Sequence, residues 1–316
     1  MYHQTAMQIY TCDTPLPLEF HHAVLVIGNF DGMHQGHVAL IEQAKDHAQK
    51  HGKPLGILTF EPHPRALFQP NESHFRITPP SVKRKRIAKT QIDFLVELDF
   101  TREIAQKSAA DFVQDILIDK LVADHIFIGA DFHFGQNRTG NADTIKVHGL
   151  DVTAIDIIND KNAQKFSSSQ VRSCLRRGLI PDANDILGWN WYIEGPVIHG
   201  DKRGREMGFP TANVLLDDTI HPAFGVYATR VLIEGETKWR DAATNIGIRP
   251  MFETKRALVE AHIFDFDGEI YGKRLKISPV AKVRDEARYS SMDELITQIA
   301  KDCDDIRTIL DLENLG

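Results

Sequence analysis

Two histidines, His34 and His37, stand three residues apart at the end of a glycine-rich stretch, residues 28–37. Glycines let a backbone close on a ligand, and a helix N-terminus presents unpaired N–H groups to an anion. The chain has no Walker-type segment, so a phosphate bound here would meet imidazoles in place of a loop lysine. Donors fixed beside an α-phosphate and a leaving pyrophosphate would favour nucleotidyl transfer.

Three further polar residues belong with this stretch as candidates. Asp31 has two interpretations, a carboxylate that caps the turn or one that contacts a nucleotide. Ser168 and Arg172 would offer a hydroxyl, a helix N-terminus and a fixed positive charge. The residues alone slightly favour a plain serine cap and a surface arginine for this second pair.

A second candidate site is the glycine-rich basic segment 200–213. Backbone N–H groups beside Lys202, Arg203 and Arg205 could surround a triphosphate. Thr211 and Asn213 lie at i and i+2 of an extended segment, so they share a face, and their oxygens are hard ligands suited to Mg²⁺. The alternative is an ordinary basic surface loop, which the density of glycines makes less favoured.

Glu260 stands in an otherwise apolar strand, residues 257–263. Strand alternation places it on the face of Leu258 and His262, opposite to Val259 and Ala261. We expect that face to be the inner face of a barrel, where a carboxylate is costly unless it is used or paired. A general base for a substrate hydroxyl is one use, and a buried ion pair or an edge position is the alternative.

The elements that must position these residues change character near residue 178. Up to that point, apolar runs at 23–27, 55–60, 94–98, 125–129 and 152–158 alternate with helical patterns, which predicts a parallel, doubly wound α/β sheet. Segments 28–37, 129–135 and 167–172 then open on one sheet edge. From Trp191 onward, short strands and one closing helix predict a small antiparallel barrel with a helix packed outside.

Composition sets the broad class. The chain has 316 residues, 42% of them hydrophobic, which suggests about two domains of ~150 residues. The net charge of −7 gives no broad electrostatic basis for binding nucleic acid. The three cysteines form neither a metal-binding spacing nor a disulfide framework, and we see no signal peptide and no membrane span. We expect a cytoplasmic protein, and a homo-oligomer is compatible with the sequence.

Taken together, these segments resemble the bacterial bifunctional riboflavin kinase/FAD synthetases, from about Val24 to Ile309. The stretches that carry the resemblance are residues 28–37, 60–65, 131–135, 167–172, 200–213, 245–250 and 259–268. The histidine-bearing turn alone indicates only the wider nucleotidyltransferase superfamily. The glycine-rich loop that leads to Pro210-Thr211-Ala212-Asn213 is much more specific to flavokinases.

The resemblance implies a Rossmann-like FMN adenylyltransferase domain over residues 1–184 and a β-barrel riboflavin kinase domain with a C-terminal helix over 185–316. The kinase would phosphorylate riboflavin with ATP and Mg²⁺, and the first domain would transfer AMP from ATP to FMN. It implies catalytic roles for His34, His37 and Glu260, and metal binding by Thr211 and Asn213. Phosphate contacts would involve Gly28, Phe30, Asp31, Gly36, Ser168, Arg172, Gly200, Lys202, Gly204 and Gly208. Flavin contacts would involve Phe60, Pro62 and His63.

Two alternatives remain beside this one. The first is an enzyme with a single working activity, against which the intact His34, His37 and Arg172 argue. The second is a non-catalytic flavin-binding protein, against which Glu260 beside a metal site argues. The segment Thr78-Pro79-Pro80 departs from the family's commoner pattern, which has two threonines and no paired prolines.

Overall fold

A computed structural model describes residues 7–70, 72, 74–156, 166–200, 203–216, 219–251 and 254–313. The chain forms two compact units. The first comprises the described residues of Met1–Ser73 and Thr78–Ser167, and the second those of His74–Ile77 and Ser168–Gly316. None of the described helices is both long and apolar enough to cross a membrane.

The first unit is built on a wholly parallel sheet in the order β1-β4-β3-β2-β5-β6. Its strands are β1 (Gln8–Thr11), β2 (Val24–Ile27), β3 (Leu55–Glu61), β4 (Phe94–Asp99), β5 (His125–Gly129) and β6 (Asp151–Ile155). Its helices are α1 (Gln35–His51), α2 (Pro64–Phe68), α3 (Pro80–Ala88), α4 (Arg102–Gln106), α5 (Ala109–Asp111, continued in wider turns by Phe112–Lys120) and α6 (Ala142–Val147).

The predicted doubly wound sheet is confirmed. Successive residues of β2 are buried in apolar clusters on opposite faces of the sheet, Val24 and Val26 on one and Leu25 and Ile27 on the other. The chain winds outward from β2 in both directions, so the topological switch point lies between β2 and β5. Ligands bind in such sheets at the carboxyl ends of the strands beside that point.

The second unit contains an antiparallel sheet in the order β7-β12-β9-β10-β11-β8. Its strands are β7 (Ile193–Pro196), β8 (Ala212–Leu215), β9 (Gly225–Ile233), β10 (Arg240–Met251), β11 (Thr254–Ile263) and β12 (Arg274–Arg284). Its helices are α7 (Ser168–Arg177), α8 (Ile180–Leu187), α9 (Arg203–Glu206) and α10 (Met292–Glu313). A bridge between Ile198 and Asn213 joins the two edges, so the sheet is a nearly closed barrel, as predicted.

The face assigned to Glu260 is the one part of this prediction that is wrong. The barrel interior is filled by the residues on either side of it, Val259 and Ala261, which are fully buried. The opposite face carries Val226 and Ala228 and packs against α10. Glu260 therefore lies on the outer face of the barrel, because successive side chains of a strand point to opposite faces and its two neighbours fill the interior.

A short segment from the first half of the sequence completes the second unit. Ile77 is fully buried in its core, and the indole nitrogen of Trp191 donates a 2.8 Å hydrogen bond to the carbonyl of Ile77. The guanidinium of Arg172 donates to the carbonyl of Phe75 at 2.9 Å. Because α7 and α8 also pack into this core, the continuous part of the compact unit runs from Ser168 onward. The division of the two functional domains at 184/185 stays a prediction.

Candidate active sites

The first candidate site is the turn after β2, residues 28–37, which we call the signature turn. Its backbone has positive φ at Phe30 (51°), Gly32 (87°) and Met33 (42°). His34 is the N-cap of α1, and its Nδ1 accepts a hydrogen bond from the backbone N–H of His37 at 3.3 Å. The turn therefore delivers the chain to the start of a long helix with a histidine at the cap.

The structure brings the two predicted histidines into contact. Their rings are stacked with centroids 3.6 Å apart. His34 is buried, with 6% of its surface exposed, whereas His37 is half-buried. Two imidazoles at a helix N-terminus provide donors where negative charge is favoured.

The glycines of the turn make room for rings. A Cβ at Gly36 would lie 3.2 Å from the imidazole of His34, and one at Gly28 would lie 3.1 Å from the ring of Phe30. The side chain of Phe30 is enclosed in the core, and its fully buried ring packs edge-on against His37. A phosphate contact from Phe30 would therefore have to come from its backbone.

The carboxylate of Asp31 caps the turn, which is the first of the two interpretations that its sequence position allows. Its carboxylate is 3% exposed and accepts hydrogen bonds from the backbone N–H and the hydroxyl of Thr78 at 3.0 and 3.2 Å. Asn29 carries an Oδ1 that is buried without a hydrogen-bond partner among the described residues.

The residues expected near a flavin follow β3. Phe60 is buried and packs against Phe100, with ring centroids 5.7 Å apart, and His63 is buried as the N-cap of α2. Pro62 is exposed. The signature turn and residues 130–135 follow adjacent strands, β2 and β5, so they open on one sheet edge as predicted.

Ser168 and Arg172 stand in the second compact unit, at the start of α7. Arg172 is only 6% exposed and is bonded to the carbonyl of Phe75, so the surface arginine that the residues alone favoured is not observed. Their expected place beside ATP stays a prediction.

The second candidate site is a cleft of about 1250 Å³ on the outer face of the barrel. It brings together five of the residues predicted for the kinase site: Gly200, Gly204, Thr211, Asn213 and Glu260. Gly208 is not among the lining residues, and Lys202 lies outside the described residues. Apolar residues of α10, among them Leu295, Ile296 and Ile299, form another wall of the cleft.

Strand register sets the centre of this cleft. Glu260 is paired with Asn213 on β8 and with Asn245 on β10. The side-chain amide of Asn245 donates to the carboxylate of Glu260 at 3.3 Å. A carboxylate oriented by the amide of Asn245 can accept a proton from a substrate hydroxyl in the cleft.

The glycines of segment 200–213 are needed for close packing around Asn213. A Cβ at Gly200 would lie 2.5 Å from the amide nitrogen of Asn213, and one at Gly204 would lie 2.4 Å from the carbonyl oxygen of Phe209. Gly208 has a φ of 86° with open space around it. Its requirement for glycine is therefore one of backbone conformation.

The donor set in this cleft fits Mg²⁺ bound together with a nucleotide. Thr211 and Asn213 supply hydroxyl and amide oxygens. Across the described ranges, no group of three or more His, Cys, Asp or Glu side chains is placed to hold a metal ion. Mg²⁺ characteristically takes few protein ligands and completes its shell with water and phosphate oxygens.

Sequence reasoning missed several residues of this cleft. Asn245 touches Glu260, and His262 bonds through Nδ1 to the carbonyl oxygen of Pro210 at 2.9 Å, next to Thr211. Arg284 donates through Nε and Nη2 to both carboxylate oxygens of the buried Asp302 of α10, and this carboxylate raises the pKa of the guanidinium. Asn245 is identified by its pairing with Glu260 between β10 and β11. The residue pattern of one strand does not show which residue of a neighbouring strand lies opposite.

A parallel sheet with histidines at its switch point, followed by a barrel whose cleft holds a glycine loop and a carboxylate, defines a two-domain transferase that uses nucleotides. Comparison with family models identifies both parts. Residues 17–170 match FAD synthetase, and residues 187–310 match riboflavin kinase.

Known proteins agree over most of the chain. The bifunctional riboflavin kinase/FMN adenylyltransferase of Escherichia coli K12 is 36% identical over 283 residues, which cover 88% of this chain and 90% of the relative. The protein of the same description from Bacillus subtilis 168 is 36% identical over 289 residues, covering 89% and 90%. The chain belongs to the bifunctional riboflavin kinase/FMN adenylyltransferase family, which confirms the resemblance.

A solved structure extends the likeness to the fold. A protein from Streptococcus pneumoniae described as a macrolide-efflux protein superposes with a TM-score of 0.83 at 29% identity. The match covers 95% of this chain and 99% of that one.

Proposed function

We propose that the two candidate sites divide the two family activities as follows: the barrel cleft converts riboflavin and ATP into FMN and ADP, and the signature turn converts FMN and ATP into FAD and pyrophosphate. The observation that carries the kinase assignment is the placement of Glu260 between Asn213 and Asn245 in the cleft. The observation that carries the second assignment is the stacked pair His34 and His37 at the start of α1.

In the kinase step, the carboxylate of Glu260 accepts the proton of the riboflavin 5′-hydroxyl as that oxygen attacks the γ-phosphorus of ATP. Gly200, Lys202, Gly204 and Gly208 lie on the loop that holds the phosphates, and Thr211 and Asn213 hold Mg²⁺. Bound Mg²⁺ supplies neutralisation of phosphate charge. The amide of Asn245 keeps the carboxylate oriented toward the cleft.

In the adenylyl-transfer step, a phosphate oxygen of FMN attacks the α-phosphorus of ATP, and the bond to pyrophosphate breaks. His34 and His37 donate hydrogen bonds to the charge that builds on the α-phosphate and the leaving group. The backbone of Gly28, Phe30 and Gly36 shapes this pocket, and Asp31 holds the turn. Ser168 and Arg172 bind the ATP. The flavin is bound by Phe60, Pro62 and His63.

Incubation of the full chain with riboflavin, ATP and Mg²⁺, followed by chromatography of the flavins, tests this proposal. We expect riboflavin to disappear into FMN and then FAD, with one pyrophosphate released for each FAD. A chelator should stop both steps, and added Mg²⁺ should restore them. FMN without FAD would contradict the second assignment, and no product would contradict both.

The same proposal covers the setting of the enzyme. We place it in the cytoplasm, which the three free thiols Cys12, Cys174 and Cys303 support. Its partners are small molecules, since the net charge of −7 gives nucleic acid no general attraction. A homo-oligomer is compatible with both sites.

A further inference from the structure

The signature turn has a conformation that its own sequence does not favour. Phe30 and Met33 both adopt positive φ, at 51° and 42°, although neither is glycine. Positive φ is strained for residues with a side chain, and it persists where the surroundings hold it. The contacts that hold this turn are therefore part of the site.

One side of the signature turn is held by Thr78, which is separated from the start of α3 by Pro79 alone. Its backbone N–H and its hydroxyl both donate to Oδ1 of Asp31, at 3.0 and 3.2 Å. Its hydroxyl oxygen also accepts from the backbone N–H of Gly32 at 3.0 Å. Thr78 is 2% exposed, so these three bonds are shielded from water. A single side chain thus ties two consecutive residues of the turn.

The other side is held through Lys83, which is only 2% exposed. Its Nζ donates to the hydroxyl of Thr59 at 3.3 Å and pairs with Glu61 at 2.9 Å. The hydroxyl of Thr59 in turn donates to the carbonyl of Asn29 at 3.2 Å. The sequence pattern of 83–89 indicates a solvated helix face, and for Lys83 that prediction is wrong, because its ammonium group is enclosed at the end of β3.

We infer that Thr78 is a positioning residue for adenylyl transfer: it fixes the signature turn through Asp31 and Gly32 and so sets where His34 and His37 stand. This inference rests on the proposed role of the turn. Donors at a transition state must be held to a fraction of an ångström, and a displacement of about 1 Å can cost about 100-fold in rate. Thr78, the first residue of the Thr78-Pro79-Pro80 segment, provides that hold.

The test compares four variants of the full chain. Thr78→Val keeps the shape of the side chain and removes the hydroxyl, and Thr78→Ser keeps the hydroxyl. Thr90→Val is the matched control, since Thr90 is a buried threonine at the other end of α3 whose hydroxyl bonds to the carbonyl of Ile87. His37→Ala reports on the turn itself. For each variant, kcat and KM for ATP and FMN are measured in FAD formation, and the kinase rate is measured on the same sample.

We expect Thr78→Val to lower kcat for FAD formation by about 10- to 100-fold, with smaller changes in either KM and an unchanged kinase rate. Thr78→Ser should recover kcat to within about threefold of the parent, since the hydroxyl is retained. Thr90→Val should behave as the parent chain. If Thr78→Val is not obtained folded, Thr78→Ala replaces it with the same expectation.

Three results would overturn the inference. They are a kcat for Thr78→Val equal to that of the parent, a loss confined to KM, or an equal loss in Thr90→Val. Failure of the proposed function is distinguished by His37→Ala: if that variant forms FAD at the parental rate, the turn is not the adenylyl-transfer site. If His37→Ala is impaired while Thr78→Val is not, only the positioning role fails.

Discussion

The two histidines of the signature turn differ in their surroundings. His34 is buried and accepts a backbone hydrogen bond as the cap of α1, whereas His37 is half-buried with its ring stacked on that of His34. The more accessible imidazole is therefore the better placed of the two to reach a phosphate. We expect His34 to position the ring of His37 by stacking as well as to offer a donor of its own.

Replacement of His37 by alanine should slow FAD formation by roughly 10²–10³-fold, the usual cost of one transition-state donor. FMN formation should be unchanged, because the kinase cleft is built from other residues. Rates of both steps on one sample check this prediction. His51→Ala, at the exposed end of the same helix, is the control and should leave both rates intact. Equal loss of both activities in His37→Ala would refute the two-site assignment.

Glu260→Gln should have the reverse selectivity. Glutamine keeps the shape and the contact with Asn245 but cannot accept the hydroxyl proton, so FMN formation should fall by about 10²–10⁴-fold. FAD formation from supplied FMN should continue. Glu269→Gln, on the exposed turn after β11, serves as the matched control. A normal rate of FMN formation in Glu260→Gln would make this carboxylate structural.

At the scale of single residues, the sequence predicts which side chains could carry chemistry better than it predicts what surrounds them. Alternation separates Glu260 from Val259 and Ala261, but it does not say which of the two faces is the barrel interior. That depends on α10, which covers the outer face. Asn245 was missed for a related reason: its contact with Glu260 depends on the pairing of β10 with β11.

Among the elements, the close approach of Gly200 to β8 shows how glycine shapes the barrel cleft. Gly200 stands against Asn213 so closely that a methyl group would displace its amide. Asn213 is buried and is paired with Glu260 across the strands. The loop therefore sets the position of a predicted metal ligand.

Gly200→Ala should lower kcat/KM for ATP in the kinase step by about tenfold or more, because Asn213 must move away from its position. Gly235→Ala is the matched control, since Gly235 has positive φ and open space in the turn after β9. That change should cost about 1–2 kcal/mol of stability, the penalty for a left-handed backbone at a residue with a Cβ, and leave the kinase kinetics unchanged. Kinase kinetics on both variants test the prediction, and a parental kcat/KM in Gly200→Ala would contradict it.

A histidine cluster joins α1 to β5 in the first unit. The ring of His47 lies 4.2 Å from that of His125 and 4.4 Å from that of His51, centroid to centroid. Burial, followed by the neighbouring imidazoles, lowers the pKa of both His47 and His125. The charged groups around them are Lys50, Lys53, Asp124 and Asp151.

Lowering the pH should therefore destabilise the first unit. A histidine whose pKa is lowered by folding stays neutral in the folded state, while the unfolded chain binds a proton below about pH 6.5. Stability is thus complete above that pH and decreases as the pH falls. Thermal unfolding followed from about pH 7.5 to 5.5 should show the decrease. His125→Gln should flatten the profile, whereas His133→Gln, on an exposed loop, should not. A profile unchanged by His125→Gln would contradict this reading.

Element boundaries were predicted where apolar runs are long and were missed where they are short. The strands β2 to β5 and the buried face of α1 follow from their apolar patterns, and the structure confirms them. The sequence of residues 1–22, with Pro15 and Pro17, indicates irregular chain, yet the edge strand β1 lies within it. This strand has only four residues with alternate burial and depends on pairing with β4, a partner far away in sequence.

On the scale of the whole molecule, the two compact units are not two successive pieces of the sequence. Residues 74–77 belong to the second unit, and Thr78, the next residue, belongs to the first. Ile77 is fully buried in the core of the second unit. No local pattern announces this, since the segment is four residues long and lies within the part of the chain that reads as α/β.

Ile77→Ala should destabilise the second unit by about 2–4 kcal/mol through the cavity it leaves beside Trp191. The destabilisation is measured as the temperature at which half of the kinase activity of the full chain is lost. This midpoint temperature should fall by several degrees. Ile9→Ala, an isoleucine that is 48% exposed on β1, is the matched control and should leave the midpoint in place. An unchanged midpoint for Ile77→Ala would show that the segment adds nothing to the kinase unit.

The second unit is formed from two separate pieces of the sequence, and this affects what recombination within the gene could transfer. A recombination event that joined the coding sequence from Ser168 onward to a new neighbour would leave behind the segment that carries Phe75 and Ile77. The guanidinium of Arg172 and the indole of Trp191 would then each lose a backbone acceptor. Exchange of this half alone would therefore yield a weakened kinase, and selection for kinase activity would disfavour its transfer without residues 74–77.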